Sequence, residues 1–156
     1  MTVSRSNIGA AIAILLLAVT LAPAEEKKIK RSDLPPAVEK TVAEQSQVGT
    51  VHGFSQEKEN GQTFYEAEFT VNGHSKDVLM NSDGVVVEVE EQMATESLPP
   101  AVHTALQAAA GKGRIVKVES LTKKGRVVAY EAQVLTNRKK SEVQVGPDGK
   151  ALDHEE

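Results

Sequence analysis

The sequence contains no cysteine, so its stability cannot come from disulfides, and lipid attachment at a processed N-terminal cysteine is excluded. Tryptophan is also absent, and the aromatic residues are limited to Phe54, Phe64, Phe69, Tyr65 and Tyr130. Single-stranded nucleic acid is bound on aromatic platforms set among basic residues. With so few aromatics, that class of partner is set aside. A membrane-spanning run is missing as well. The apolar stretch from Ile8 to Leu21 is shorter than the roughly 20 residues a span needs, and Pro23, Glu25 and Glu26 cut it off. Arg5 ahead of the run and Ala22-Pro23-Ala24 behind it give the pattern of a secretory signal peptide over 1–24, cleaved after Ala24. The exported chain, periplasmic or secreted, would then start at Glu25. Residues 25–32 read as a flexible lead-in.

No nucleophile elbow, phosphate loop or dinucleotide fingerprint occurs. His52, His74, His103 and His154 form no ligand-spaced pair, and read as solvated surface residues. The expectation is a protein that is not an enzyme and carries no cofactor or metal, with no catalytic residues to assign.

The chain does contain an internal repeat. Leu34-Pro35-Pro36-Ala37-Val38 returns 64 residues later as Leu98-Pro99-Pro100-Ala101-Val102, and Gly49 and Gly61 return as Gly113 and Gly125. After one insertion the spacing is 65: Tyr65-Glu66-Ala67 matches Tyr130-Glu131-Ala132, Val78 matches Val143, and Asp83-Gly84 matches Asp148-Gly149. Order kept over that length marks a duplication, with units at 33–92 and 93–156.

Each unit reads as a helix followed by strands. The proline pairs suit a first helical turn, and Val38, Val42 and Gln45, or Val102, Leu106 and Ala109, give one apolar stripe on a helix of about 12 residues. Gly49 and Gly113 stand where a helix stop is expected. Strands are then expected over about 50–57 and 114–121. Next come alternating segments with Tyr65, Ala67, Phe69 and Val71, or Tyr130, Ala132 and Val134, on one face. Third strands carry Val78 and Met80, or Val143 and Val145. Last strands hold Val85 to Val89, or Ala151 and Leu152. The fold class is α+β: two tandem α-β-β-β-β repeats, antiparallel, with one helix per repeat across the apolar face. The tyrosines, in phase with Ala and Phe or Val, belong to the covered side. The Asp-Gly turns have a sufficient explanation in turn geometry, without calcium.

Tyr65-Glu66, Val78 and Asp83-Gly84-Val85 in the first unit, with Tyr130-Glu131, Val143 and Asp148-Gly149-Lys150 in the second, resemble the PepSY pattern. The tandem arrangement behind a signal peptide is similar to the PepSY-like, β-lactamase-inhibitor-like family of exported bacterial proteins. The resemblance implies a non-enzymatic binding or regulatory module of the cell envelope, related to peptidase propeptides and protein inhibitors.

The two units differ most in charge. Residues 25–96 hold 7 basic and 15 acidic residues, a net −8, whereas 97–156 hold 10 basic and 7 acidic, a net +3. The basic groups Lys123, Lys124 and Arg126, and Arg138, Lys139 and Lys140, fall at successive hairpin turns at opposite ends of the sheet. They read either as contacts to anionic lipid, cell-wall polymer or an acidic protein, or as loop solvation and attraction between the units. Glu66, Glu68 and Glu131, with Gln133, mark the polar face of the sheet as a second route to a partner, and a free sheet edge as a third. The partner expected is an envelope protein such as a peptidase or sensor. The alternative is a periplasmic carrier of a small molecule or metal ion in a groove between the units.

Overall fold

The structure is a computed structural model and describes residues 26–152, so the signal segment and its cleavage site lie outside the described residues. The strands are β1 Lys27–Lys28, β2 Thr50–Glu59, β3 Gln62–Val71, β4 His74–Asn81, β5 Val86–Gln92, β6 Arg114–Lys123, β7 Arg126–Thr136 and β8 Lys139–Val145. The helices are α1 Pro36–Gln45, between β1 and β2, and α2 Pro100–Ala110, between β5 and β6. All eight strands form one sheet in chain order β1 to β8, and every neighbouring pair is antiparallel. The architecture is α+β, with both helices on the sheet. None of the described helices is long and apolar enough to cross a membrane.

Period-two alternation decides which side the helices cover. In β3 and β4, Ala67, Phe69, Val78 and Met80 point to one side and are buried beneath Val38 and Val42 of α1. On that same side of β6, β7 and β8, Val118, Ala132 and Val145 are buried beneath Val102 and Leu106 of α2. Tyr65 and Tyr130 pack at the margins of these two clusters, on the helix side as the alternation predicts. Leu34 and Leu98, each just before a proline pair, close the clusters where the chain enters the helices.

Several backbone devices recur with the spacing of the sequence. The Ile29 N–H donates to the Phe54 carbonyl at 3.0 Å, and the Met93 N–H to the Val118 carbonyl at 3.0 Å. Bulges fall between Val51 and Gly53 and again between Ile115 and Lys117. The turn after β4 closes with Gly84 N–H to Asn81 C=O, and the turn after β8 with Gly149 N–H to Gly146 C=O, each at 2.9 Å. Gly84 and Gly149 both have a φ above +70°, and a methyl on either would strike the carbonyl oxygen of Ala37 or Ala101 in the helix above. Only glycine suits both the turn and the close approach.

Four expectations need correction. The helices run to 10 and 11 residues, close to the expected length, but Ala109 is exposed, because the stripe engages the sheet only through its first two members. Gly113 and Gly49 are not helix stops. α2 ends on Gly111 at φ +57°, α1 ends on Ser46 in the ordinary helical region, and the recurring glycines instead let the chain pass close to Val134 and Val71 of the sheet. Within 25–32, expected to be a flexible lead-in, Lys27 and Lys28 pair with Gln56 and Ser55 of β2. Finally, no strand follows β8 among the described residues: Ala151 is exposed and Leu152 half-buried outside any ladder. The remaining residues of the predicted last strand, 153–156, lie outside the described ones.

Candidate functional site

The side of the sheet opposite the helices carries the polar half of each alternation. Glu66, Glu68 and Asp77 lie there from β3 and β4, Glu88 and Glu90 from β5, and Lys117, Glu119, Glu131, Gln133 and Gln144 from β6, β7 and β8. Cross-strand pairing sets these residues in rows. One row runs Gly53, Glu68, Asp77, Glu90, Leu121 and Ala129, directly opposite one another from β2 to β7. The next runs Gln92, Glu119, Glu131 and Gln144. No helix or loop covers this face among the described residues, yet Ser55, Glu119, Leu121 and Ala129 on it are buried by their neighbours.

Carboxylates outnumber cations in the centre of the face, and the consequence is electrostatic. Burial pushes the Glu90 carboxyl up to about 8, with Glu119, Glu131, Glu88 and Asp77 adding repulsion. Burial raises Glu66 to about 7, against the pull of the Ser55 hydroxyl, which donates to its Oε2 at 3.1 Å. Asp77 is raised by burial, opposed by Lys117, and Glu131 is raised by burial, opposed by the Gln144 amide that donates to it at 2.8 Å. Burial disfavours the Lys117 ammonium, but its bond to Glu119 and the charges of Glu119, Asp77 and Glu90 outweigh that and raise it. The Lys117 Nζ lies 2.5 Å from Glu119 Oε1.

Carboxylate oxygens of Asp77, Glu90 and Glu119 fall within 4.8 Å of one another. Glu119 already has the Lys117 ammonium against it, so a cation of the protein's own is present at this cluster. The hollow beside it, lined by Glu57, Glu66, Asp77, Leu79, Glu88 and Glu90, has a volume of about 150 Å³. Ligand pockets generally run from about 300 Å³ upward, so a drug-sized molecule does not fit there. On the helix side a shallow hollow of about 320 Å³ lies between the two helix-covered halves, with Lys76, Glu91, Met93, Ser120 and Tyr130 in its wall.

Of the residues singled out in the sequence, Glu66, Glu68 and Glu131 share this open face, although Glu66 and Glu131 are half-buried. Lys123 stands opposite Glu88 at the face's margin, with 3.4 Å between Nζ and Oε2. Lys124 and Arg126 are exposed at the β6–β7 turn, and Arg138, Lys139 and Lys140 at the β7–β8 turn. These basic groups lie at opposite ends of the strands and form no single patch. His52 bonds Thr70 Oγ1 at 2.7 Å, His74 is exposed at the start of β4 and His103 on the outside of α2; His154 lies outside the described residues. Turn geometry engages the Asp-Gly segments: Asn81 Oδ1 accepts from the Asp83 and Val85 N–H groups, and Asp148 Oδ1 from the Lys150 N–H, each at 3.0 Å. Sequence reasoning missed Asp77, Glu90 and Glu119. Their signal was available in the alternation of β4, β5 and β6, but the strand order that unites them was not.

No protein-family model matches the chain, and no curated protein does. The fold does recur among solved structures. A protein provisionally described as periplasmic from Bacteroides eggerthii superimposes with a TM-score of 0.61 at 20% identity, over 76% of this chain and 86% of that one. A DUF2874 family protein from Bacteroides ovatus gives 0.58 at 20% identity, over 77% and 85%. A BLIP-like protein from Bacteroides fragilis gives 0.53 at 19% identity, over 74% and 81%. At such identities the likeness is one of fold, and by fold this chain is similar to BLIP-like and DUF2874 proteins.

Proposed function

We propose that this protein is a non-enzymatic module of the cell envelope that binds a partner protein on the open face of its sheet, through a basic surface on that partner. The observation that carries the reading is the uncovered face itself: among the described residues, a contiguous field of largely half-buried carboxylates, with Lys117 at its centre and Lys123 at its margin. Keeping those groups partly desolvated costs stability, and a cationic partner surface offsets the cost by relieving their repulsion. The signal-peptide pattern and the BLIP-like and periplasmic descriptions of its fold neighbours support an exported location and a protein-binding role. An envelope peptidase or sensor remains the class of partner in view.

Pull-down from envelope extract tests the reading. Wild-type protein is expected to recover a partner in a salt-sensitive manner, and the triple variant Glu66→Gln, Glu68→Gln, Glu131→Gln to lose it. Equal recovery by both proteins, or none by either at micromolar concentration, contradicts it. At the acidic cluster the carrier alternative has less support, since Lys117 already supplies a cation there.

A further inference from the structure

β4 and β8 hold corresponding places in the two halves of the sheet, but among the described residues only β4 has a neighbour on its outer side. β5 lies along it, with Val89 opposite Val78, Glu90 opposite Asp77 and Glu91 opposite Lys76. β8 ends the sheet among the described residues. The difference reaches the interior. Val86 and Val89 of β5 pack against the first core cluster, whereas among the described residues the second cluster has no such pair, and its Val143 is half-exposed at the margin. The turn after β8 is set for a strand to return, because Gly146 N–H donates to Lys150 C=O at 2.8 Å just as Asn81 N–H donates to Val85 C=O at 3.0 Å. Charge differs too. Arg138, Lys139 and Lys140 are exposed at the start of β8, where the first half has Gly73, His74 and Ser75.

We propose that the β8 edge is an acceptor for an extended partner segment that alternates apolar and acidic residues and adds as a ninth, antiparallel strand. The template is internal: β5 reads Val-Val-Glu-Val-Glu-Glu-Gln. Its valines fill the side of the first core, and its acidic C-terminal end lies beside the β3–β4 turn, where Glu91 meets Lys76 at 3.0 Å. In the register of β5, a strand of this kind sets an apolar side chain opposite Val143 and its two carboxylates opposite Glu142 and Ser141, with Lys140 and Lys139 as their diagonal neighbours. Main-chain hydrogen bonds supply affinity, and the alternate side chains supply specificity. This site is separate from the open-face reading and does not depend on it.

The test uses a capped peptide of residues 86–92 as the probe and the exported chain, residues 25–156, as the receptor, with amide hydrogen exchange followed residue by residue. Expected is peptide-dependent slowing confined to Lys139–Val145. Affinity should drop about tenfold when Lys139→Glu and Lys140→Glu are combined, and fall further when the peptide's Val89 is replaced by Asn. Open-face carboxylates are untouched in these variants, so failure here is distinguishable from failure of the face reading. The proposal is overturned by any of four results: no slowing at millimolar peptide, slowing along Gln56–Glu59 of β2 instead, protection of β8 that depends only on protein concentration, or β8 amides already protected by residues 153–156.

Discussion

Asp77 and Glu90 stand directly opposite one another across the β4–β5 ladder, on the face the helices leave open. Burial disfavours the charged form of both: the Glu90 carboxyl is pushed up to about 8, so it retains its proton near neutral pH, and Asp77 is raised from its ordinary value.

The pH dependence of stability follows from this proton retention. Glu66 and Glu90 have folded-state values above those of the unfolded chain, so between the two values the folded protein binds more protons. Stability therefore falls as pH rises. The contribution is fully present below about 4.5 and is lost as pH climbs through about 7 to 8. Thermal unfolding should show a midpoint several degrees higher at pH 5 than at pH 8.

Neutralising one member of the pair should remove part of that slope. Glu90→Gln keeps the shape and hydrogen-bonding capacity of the side chain without its charge. The variant is expected to be more stable than wild type at pH 8 and close to it at pH 5, as read from denaturant midpoints at both values. An unchanged difference between the two pH values would show that Glu90 titrates as an ordinary surface group.

Gly84 and Gly61 separate two causes of glycine dependence. Both have φ near +75°, but a methyl on Gly84 would lie 2.3 Å from the Ala37 carbonyl oxygen, whereas nothing stands within 4 Å of one on Gly61. Gly61→Ala should cost about 1 kcal/mol from the left-handed backbone alone. Gly84→Ala should cost about 2 kcal/mol more, because α1 must move off the turn. Chemical denaturation of the two variants measures the difference.

Leu106 is the largest side chain that α2 buries on the sheet, and it is fully enclosed. Leu106→Ala should destabilise by about 2–5 kcal/mol, through lost burial and the cavity left behind. Ala109→Ser, one turn further on at an exposed position, should change stability by less than about 0.5 kcal/mol. Both values come from equilibrium unfolding.

Much of this fold was legible in the sequence because period two and period 3.6 both leave local marks. Tyr65, Ala67 and Phe69 against Glu66 and Glu68 told which side of β3 is dry, and Val38 and Val42 told which side of α1 meets it. What stayed hidden depends on contacts between distant segments. Gly113 looks like a helix stop until β7 is seen to pass beside it. β1 is two lysines whose composition says nothing of pairing; Ser55 and Gln56 across from them make the strand. Leu152 reads as a strand residue by its match in the first unit, yet no β5-like run of valines follows it. The acidic cluster was half visible. Glu66, Glu68 and Glu131 could be assigned to one face, but Asp77, Glu90 and Glu119 converge only once β5 is known to lie between β4 and β6.

Site-specific photocrosslinking in intact cells tests the central claim most directly. A photoreactive residue at Glu68 or Gln133 samples the open face, and one at Lys40 or Gln107 samples the exposed backs of α1 and α2. A single envelope protein captured from both face positions and from neither helix position is the predicted result. Equal capture from the helices, or capture from the helices alone, would contradict the assignment of the open face as the binding surface.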